Sequence, residues 1–159
     1  MASSPTTFTS SSPAPAVPQN GRDAVYVAAV PLRVAGGPAQ MMMSAAHNLN
    51  LWDLQHYMVA LKPPSPHNQI IVYDFQPQNP EDVWVAIAAL SSQSVPGVVL
   101  ERNLKRLPSK SCWFVGLLRP EGLEVAKEFN RLWPTDLKIG HHDCRHYTDG
   151  NTFVSSGME

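Results

Sequence analysis

Hydrophobic residues occur in short runs along this chain, and the first runs have the composition of β-strands. Ala24–Val34 (AVYVAAVPLRV), Gln55–Lys62 (QHYMVALK) and Asn68–Phe75 (NQIIVYDF) are rich in β-branched, aromatic and small apolar residues, which favour strands. Pro31 places the first strand at an edge or a bulge of its sheet. The proline-rich turn after the second predicts that the second and third form a hairpin, and the third is apolar enough to be buried on both faces.

Two later segments carry the signals of a helix start. Asn79–Asp82 supplies an N-cap asparagine, a proline for the first helical position and two acids, which predicts a helix from there to about Leu90. Pro120–Glu121 opens a second helix, with apolar residues at helical spacing to about Trp133. The residues after Gly140 offer little apolar material for a third helix, so we expect it to be short.

Two further strands complete the predicted order of elements. They are Val95–Leu100 and Ser111–Leu118, separated by a basic loop over Arg102–Lys110. Strand, hairpin, helix, strands and helices in this order predict an α+β fold, with a small antiparallel sheet and two to three helices. Residues 23–159 are long enough to form one globular domain around its own core.

The first 22 residues differ from the rest of the chain. Twelve of them are Ser, Thr or Pro, and Arg22 is the only charged one. We predict a disordered arm that is dispensable for folding. Its hydroxyl-rich, acid-free composition is also similar to plastid transit peptides. A chloroplast protein and a cytoplasmic protein with a plain disordered tail are therefore both open.

Charge and cysteine content exclude several functions. The 12 Lys and Arg residues are balanced by 13 Asp and Glu, which gives no basic footprint for a nucleic acid. No apolar run reaches the roughly 18 residues of a transmembrane segment. Two cysteines are too few for a disulfide framework, which favours a reducing, intracellular compartment. We predict no cofactor.

Cys144 is the best candidate for a reactive group. Asp143 precedes it and can cap a helix whose first turn contains the thiol, and Arg145 follows it. The free amides of a helix start and nearby cations favour the thiolate form. The alternative is a buried, inert cysteine, and Cys112, within the run CWFVGLL, fits that description better.

His56 is the candidate base for this thiol. If the turn of the hairpin is centred near Ser65, His56 lies directly opposite Asp74 on the neighbouring strand. A carboxylate facing an imidazole would orient it and support its protonated form. The alternative is a half-buried histidine bonded to backbone.

Four imidazoles offer a different chemistry. His141, His142 and His146 surround Cys144, and His67 lies on the hairpin loop. Imidazole and thiolate are zinc ligands, but only His142 and His146 have the spacing of ligands on one helix face. A solvated polar loop is the alternative to a metal site.

Three motifs together resemble the circularly permuted papain-like thiol fold. They are His56–Ala60 (HYMVA), Ile70–Asp74 (IIVYD) and Asp143–Tyr147 (DCRHY), and the resemblance covers Ala24–Thr148. Lecithin:retinol acyltransferase-like proteins, permuted NlpC-type hydrolases and permuted-papain isopeptidases share this histidine-before-cysteine order. The resemblance implies Cys144 as nucleophile, His56 as base and Asp74 as orienting group, although Asp74 stands where the family has His and Asp143 where it has Asn.

The sequence therefore supports three functions. The first is a thiol-dependent hydrolase or transferase acting on an acyl or isopeptide carbonyl, with catalytic Cys144, His56 and Asp74. The second is a catalytically inactive protein-interaction domain of the same fold. The third is a small zinc-binding protein.

Overall fold

The computed structural model describes residues 21–31, 55–65 and 69–157. Within these residues, the strands are β1 (Ala24–Pro31), β2 (Gln55–Lys62), β3 (Ile70–Pro77), β4 (Val95–Leu104), β5 (Cys112–Leu117) and β6 (Asp136–Leu137). The helices are α1 (Val83–Leu90), α2 (Gly122–Leu132) and α3 (Cys144–Ser156). Residues 1–20 of the predicted arm 1–22, residues 32–34 of the first predicted strand and His67 lie outside the described residues.

The strands form one antiparallel sheet in the order β5-β1-β2-β3-β4-β6. The predicted α+β class is thus confirmed, as is the hairpin of β2 and β3. None of the helices in the described part of the chain has the length and apolar character needed to cross a membrane.

The sheet separates two apolar clusters because neighbouring side chains of a strand point to opposite faces. On β2, Val59 and Leu61 belong to one cluster, and Met58 and Ala60 belong to the other. Helices α2 and α3 add residues to the cluster of Val59 and Leu61. β3 contributes to both clusters, so it is buried on both faces as predicted.

β1 corrects the expectation from Pro31. The strand is interior, between β5 and β2, and its irregularity lies between Val25 and Tyr26. Pro31 is the last residue of the strand. A proline at that position removes an amide only where the strand ends, so it does not require an edge strand.

α1 begins three residues later than the pattern Asn79–Asp82 predicts. Asp82 is its N-cap, and the Asp82 carboxylate accepts hydrogen bonds from the amides of Trp84 (2.8 Å) and Val85 (3.4 Å). Both Asn and Asp are good N-caps, and the aspartate directly before the continuous apolar run is the one used. The end at Leu90 agrees with the prediction.

β4 and β5 also differ from their predicted roles. β4 continues to Leu104, so Arg102 lies in a strand and not in a loop. Among the described strands, β5 lies at one edge of the sheet, and its Trp113 and Phe114 side chains are exposed. Cys112 on β5 is half-buried, where the sequence predicts a core residue.

α3 is the clearest correction, because it has 13 residues where a short helix was expected. Its buried side is polar and includes Thr148, Asn151 and Ser155. Part of this polar side is hydrogen-bonded to α2: the side-chain amide of Asn151 donates to the Asn130 side chain at 2.9 Å. Apolar periodicity therefore misses this helix, although it is the element that positions Cys144.

Candidate active site

Asp143 fixes the start of α3 and with it the position of Cys144. One Asp143 oxygen accepts hydrogen bonds from the amides of Arg145 (3.0 Å) and His146 (3.4 Å), and the other accepts one from the amide of Gly140 (2.7 Å). Burial raises the pKa of Asp143, but these hydrogen bonds and the one from the His146 ring outweigh it and lower the pKa. The predicted N-cap is confirmed, and Cys144 is the first residue of the helix.

The start of α3 lies against the start of β2. The Cys144 sulfur is half-buried, and its S–H donates a weak hydrogen bond to the Gln55 carbonyl, with the heavy atoms 3.8 Å apart. The Arg145 guanidinium lies over the Tyr57 ring, 5.2 Å from its centroid. These contacts bring the thiol beside His56, the neighbour of Gln55, although Gln55 lies 89 residues before Cys144 in the chain.

His56 and Asp74 form a buried pair. The Nε2 atom of His56 is 2.6 Å from Oδ2 of Asp74, whose side chain has no exposed surface. The predicted contact on one face of adjacent strands is confirmed, but the predicted register is wrong. Val59 pairs with Tyr73, two residues away from the expected partner. Because side chains alternate with a period of two, this even shift keeps both groups on the same face, as diagonal neighbours.

The ring of His56 interacts with Cys144 as well as with Asp74. Burial lowers the pKa of His56, but the hydrogen bond to Asp74 and the Cys144 sulfur raise it to about 9. Asp74 holds Nε2, so Nδ1 is the ring nitrogen that remains for another partner. The imidazole therefore holds a proton at neutral pH, and it lies between the Asp74 carboxylate and the Cys144 sulfur.

Arg102 is a member of this group that the sequence interpretation missed. Its Nη2 atom is 2.8 Å from Oδ1 of Asp74, the oxygen that His56 does not use. The sequence assigned Arg102 to a basic loop. Leu100, Arg102 and Leu104 alternate with the polar residues Glu101 and Asn103, so they lie on one face of β4. This period-two pattern would have predicted that Arg102 belongs to the strand.

A cavity of about 560 Å³ opens at these residues. His56, Cys144 and Arg102 all line it. The other lining residues are mostly apolar, and those from α1 and the segment around β6 are Val85, Ala86, Ala89, Leu90, Leu137 and Ile139. The site therefore combines a polar group containing a thiol with an apolar wall, as small-molecule and substrate pockets commonly do.

Two of the three other imidazoles near Cys144, those of His142 and His146, have partners of their own. His142 stacks on Trp133 with ring centroids 4.3 Å apart, and its Nε2 is 3.0 Å from the Pro134 carbonyl. The Nδ1 atom of His146 is 2.9 Å from Asp143. Among the residues the structure describes, no group of three or more His, Cys, Asp and Glu side chains could hold a metal ion.

Cys112 occupies a different environment from Cys144. Burial raises the pKa of the Cys112 thiol, and the opposing effect of Lys62 is smaller. Cys112 packs against the cluster of Met58 and Ala60 and does not line the cavity. The two thiols are therefore chemically distinct, and Cys112 serves as an internal reference for Cys144.

Comparison of the chain with protein-family models, with curated proteins and with solved structures finds no match.

Proposed function

We propose that the chain is a thiol-dependent hydrolase or acyl or isopeptide transferase with Cys144 as its nucleophile. The observation that carries the proposal is the position of His56, whose ring contacts the Asp74 carboxylate at 2.6 Å and interacts with the Cys144 sulfur. A nucleophile, a base and a group that orients the base are the parts that covalent catalysis requires. The nucleophile and the base line one cavity, and the orienting Asp74 is buried against His56.

In the first step, the Cys144 thiolate, whose proton is held by the His56 imidazolium, attacks the carbonyl carbon of the substrate and forms a carbon–sulfur bond. The carbonyl electron pair moves to oxygen, and the backbone amide of Cys144 at the positive end of α3 stabilises the resulting charge. As the oxyanion collapses, the bond to the leaving group breaks. The His56 imidazolium donates its proton to that leaving group, and an acyl thioester on Cys144 remains.

In the second step, neutral His56 accepts a proton from water or from an acceptor molecule that attacks the thioester. The carbon–sulfur bond breaks, the product leaves and Cys144 returns to the thiolate. The apolar wall formed by Val85, Ala86 and Leu137 would hold the apolar part of the acyl group. Water then gives hydrolysis, and another nucleophile gives transfer.

A zinc site is supported less well by the same residues. His142 is stacked on Trp133, and His146 is bonded to the N-cap Asp143. Each would have to leave its partner to join Cys144 on a metal ion. The thiol chemistry requires no such change.

The proposal is tested with activated acyl esters, such as p-nitrophenyl esters of increasing chain length. Incubation with the full chain should release p-nitrophenol in a burst and leave one acyl group, found by mass spectrometry on Cys144. Cys144→Ser should lose the burst and the thioester, whereas Cys112→Ser should keep both. If no ester acylates Cys144 faster than it acylates an unfolded thiol, the enzyme proposal fails and an inactive interaction domain of the same fold replaces it.

A further inference from the structure

Three adjacent strands each contribute one charged or polar side chain to a continuous row. His56 comes from β2, Asp74 from β3 and Arg102 from β4. Asp74 is at the centre: Oδ2 lies 2.6 Å from His56, and Oδ1 lies 2.8 Å from Arg102. Both oxygens of the carboxylate are therefore held by different donors.

The register of the sheet explains why Arg102 reaches Asp74. Leu100 of β4 is the direct partner of Asp74 across the ladder, and Val72 is the partner of Arg102. Arg102 is thus two residues away from direct opposition, on the same face as Asp74, and it reaches the carboxylate diagonally. His56 reaches the carboxylate diagonally from the other side.

Exposure differs along the row. The Asp74 side chain is 0% exposed and the His56 side chain 10%, whereas the Arg102 side chain is 48% exposed. A buried carboxylate requires both hydrogen bonds and a compensating charge to stay ionised. Arg102 can supply both, because its guanidinium reaches the buried oxygen while the rest of its side chain stays in contact with water.

In the proposed reaction, the Asp74 carboxylate needs the positive charge of Arg102 most at the stage when His56 has given up its proton. His56 is positively charged before it donates its proton and neutral afterwards. While His56 is neutral, only Arg102 balances the Asp74 carboxylate among the groups that bond to it in the described structure. Arginine keeps its charge throughout, because its guanidinium is not deprotonated in proteins.

We propose that Arg102 is a positioning residue, which fixes the Asp74 carboxylate and balances its charge while His56 loses and regains a proton. This inference rests on the proposed function for its catalytic meaning. The contact itself does not depend on that function, so it can be tested by a titration of His56 that requires no substrate. The other titratable or charged groups that line the same cavity are Tyr57, Asp143, Cys144 and Arg145.

The test compares Arg102→Met, Arg102→Lys and Arg106→Met with the unmodified chain. The measurement is the titration of the His56 ring, followed through its Cε1 proton by NMR and assigned with His56→Gln. Arg102→Met removes one of the two cations that bind the Asp74 carboxylate, so the loss of the proton from His56 becomes less favourable. Arg102→Met should therefore raise the titration midpoint of His56 by about one pH unit. Arg102→Lys should stay close to the unmodified chain, because the charge is kept.

Arg106→Met is the matched control, because it removes the same charge from an exposed position in the segment after β4. Its midpoint should not move. If Arg102→Met leaves the midpoint unchanged, Arg102 does not balance Asp74, and if the midpoint falls, Asp74 has left His56; either result overturns the proposal. A shift equal to that of Arg106→Met overturns it too, because a general surface charge then accounts for it.

The ester assay separates this proposal from the proposed function. If Arg102→Met shifts the His56 midpoint but no ester acylates Cys144, the contact is right and the enzyme is wrong. If esters acylate Cys144 and the midpoint does not respond to Arg102, the enzyme is right and the role of Arg102 is wrong. Where both hold, the pH at which the acyl-enzyme breaks down should shift upward in Arg102→Met together with the midpoint.

Discussion

His56 and Asp74 meet diagonally across β2 and β3, with Nε2 of the ring 2.6 Å from the carboxylate. A diagonal pair spans a longer distance than a directly opposed pair, and an imidazole and a carboxylate are long enough to bridge it. The geometry also leaves the other carboxylate oxygen open toward β4, where Arg102 binds it. The offset between the two strands is therefore what allows a row of three side chains.

This pair predicts a dependence of stability on pH. The pKa of His56 is raised from 6.5 to about 9 in the folded protein, so folding takes up a proton between these values. The stabilisation is complete below about pH 6.5 and is lost as the pH rises through 9. We expect the free energy of unfolding to fall by up to about 3 kcal/mol over this range.

Urea unfolding at several pH values from 6 to 10 measures this effect. Asp74→Asn removes the charge that supports the imidazolium, so its stability should change much less with pH over the same range. Other groups also titrate above pH 8, and the difference between the two proteins isolates the contribution of the pair. Parallel curves for the two proteins would contradict the assigned pairing.

The sequence predicted the parts of the site that depend on local signals. Asp143 before Cys144 is a capping pattern that needs no knowledge of the fold, and the composition of β2 and β3 identified both strands. The hairpin register was missed by two residues, because a proline-rich turn of unknown conformation does not fix the offset of its strands. The predicted contact between His56 and Asp74 is nevertheless observed, because an even error in the register keeps both side chains on the same face.

The parts that were missed depend on tertiary contacts. Arg102 belongs to β4 because Val72 of β3 pairs with it, and its local sequence is charged. α3 is long because Asn130 of α2 satisfies Tyr147 and Asn151 on its polar side. The contacts of Asn130 bury polar groups of α2 and α3 together, so they leave no signal in the hydrophobic pattern. The alternation that includes Arg102 is obscured by its charged and polar neighbours Glu101 and Asn103.

The contacts of Arg22 predict the residue at which the N-terminal segment begins to contribute to stability. Arg22, assigned to the dispensable arm by composition, donates two hydrogen bonds to the Leu118 carbonyl, at 2.9 Å from Nε and 2.6 Å from Nη2. Removal of residues 1–20 should leave the midpoint of thermal unfolding unchanged. Arg22→Ala should cost about 0.5 to 1 kcal/mol, because these hydrogen bonds are exposed. A loss of several degrees after the truncation alone would show that the arm stabilises the domain.

Gly122 predicts how closely α2 must approach the end of α3. A Cβ atom added there would lie 2.6 Å from the Ser155 carbonyl oxygen and 2.9 Å from the Leu118 side chain. Alanine normally favours a helix over glycine, but here Gly122→Ala should destabilise the domain by about 1 to 3 kcal/mol. Asp149→Ala, at an exposed position of α3, is the control and should be tolerated. A gain of stability in Gly122→Ala would mean that the two helices are not in contact at this point.

Variants of the two N-cap aspartates, Asp143 and Asp82, distinguish an effect on helix stability from an effect on the reactivity of Cys144. Asp143 caps α3 directly before Cys144, and Asp82 caps α1 through the same kind of bond to the amide two residues later. Replacement of either by alanine should cost about 1 kcal/mol in the free energy of unfolding. Only Asp143→Ala should also slow the alkylation of Cys144, because it loosens the turn that holds the sulfur beside His56.

Iodoacetamide labelling at pH 7 in a Cys112→Ser background reports on Cys144 alone. Urea unfolding of the same proteins establishes that the two losses of stability are comparable. We expect Asp82→Ala to label at the rate of the parent and Asp143→Ala to label several-fold more slowly, since the turn that Asp143 caps holds the sulfur in position beside His56. Equal rates in both variants would mean that the reactivity of Cys144 does not come from its place at the start of α3.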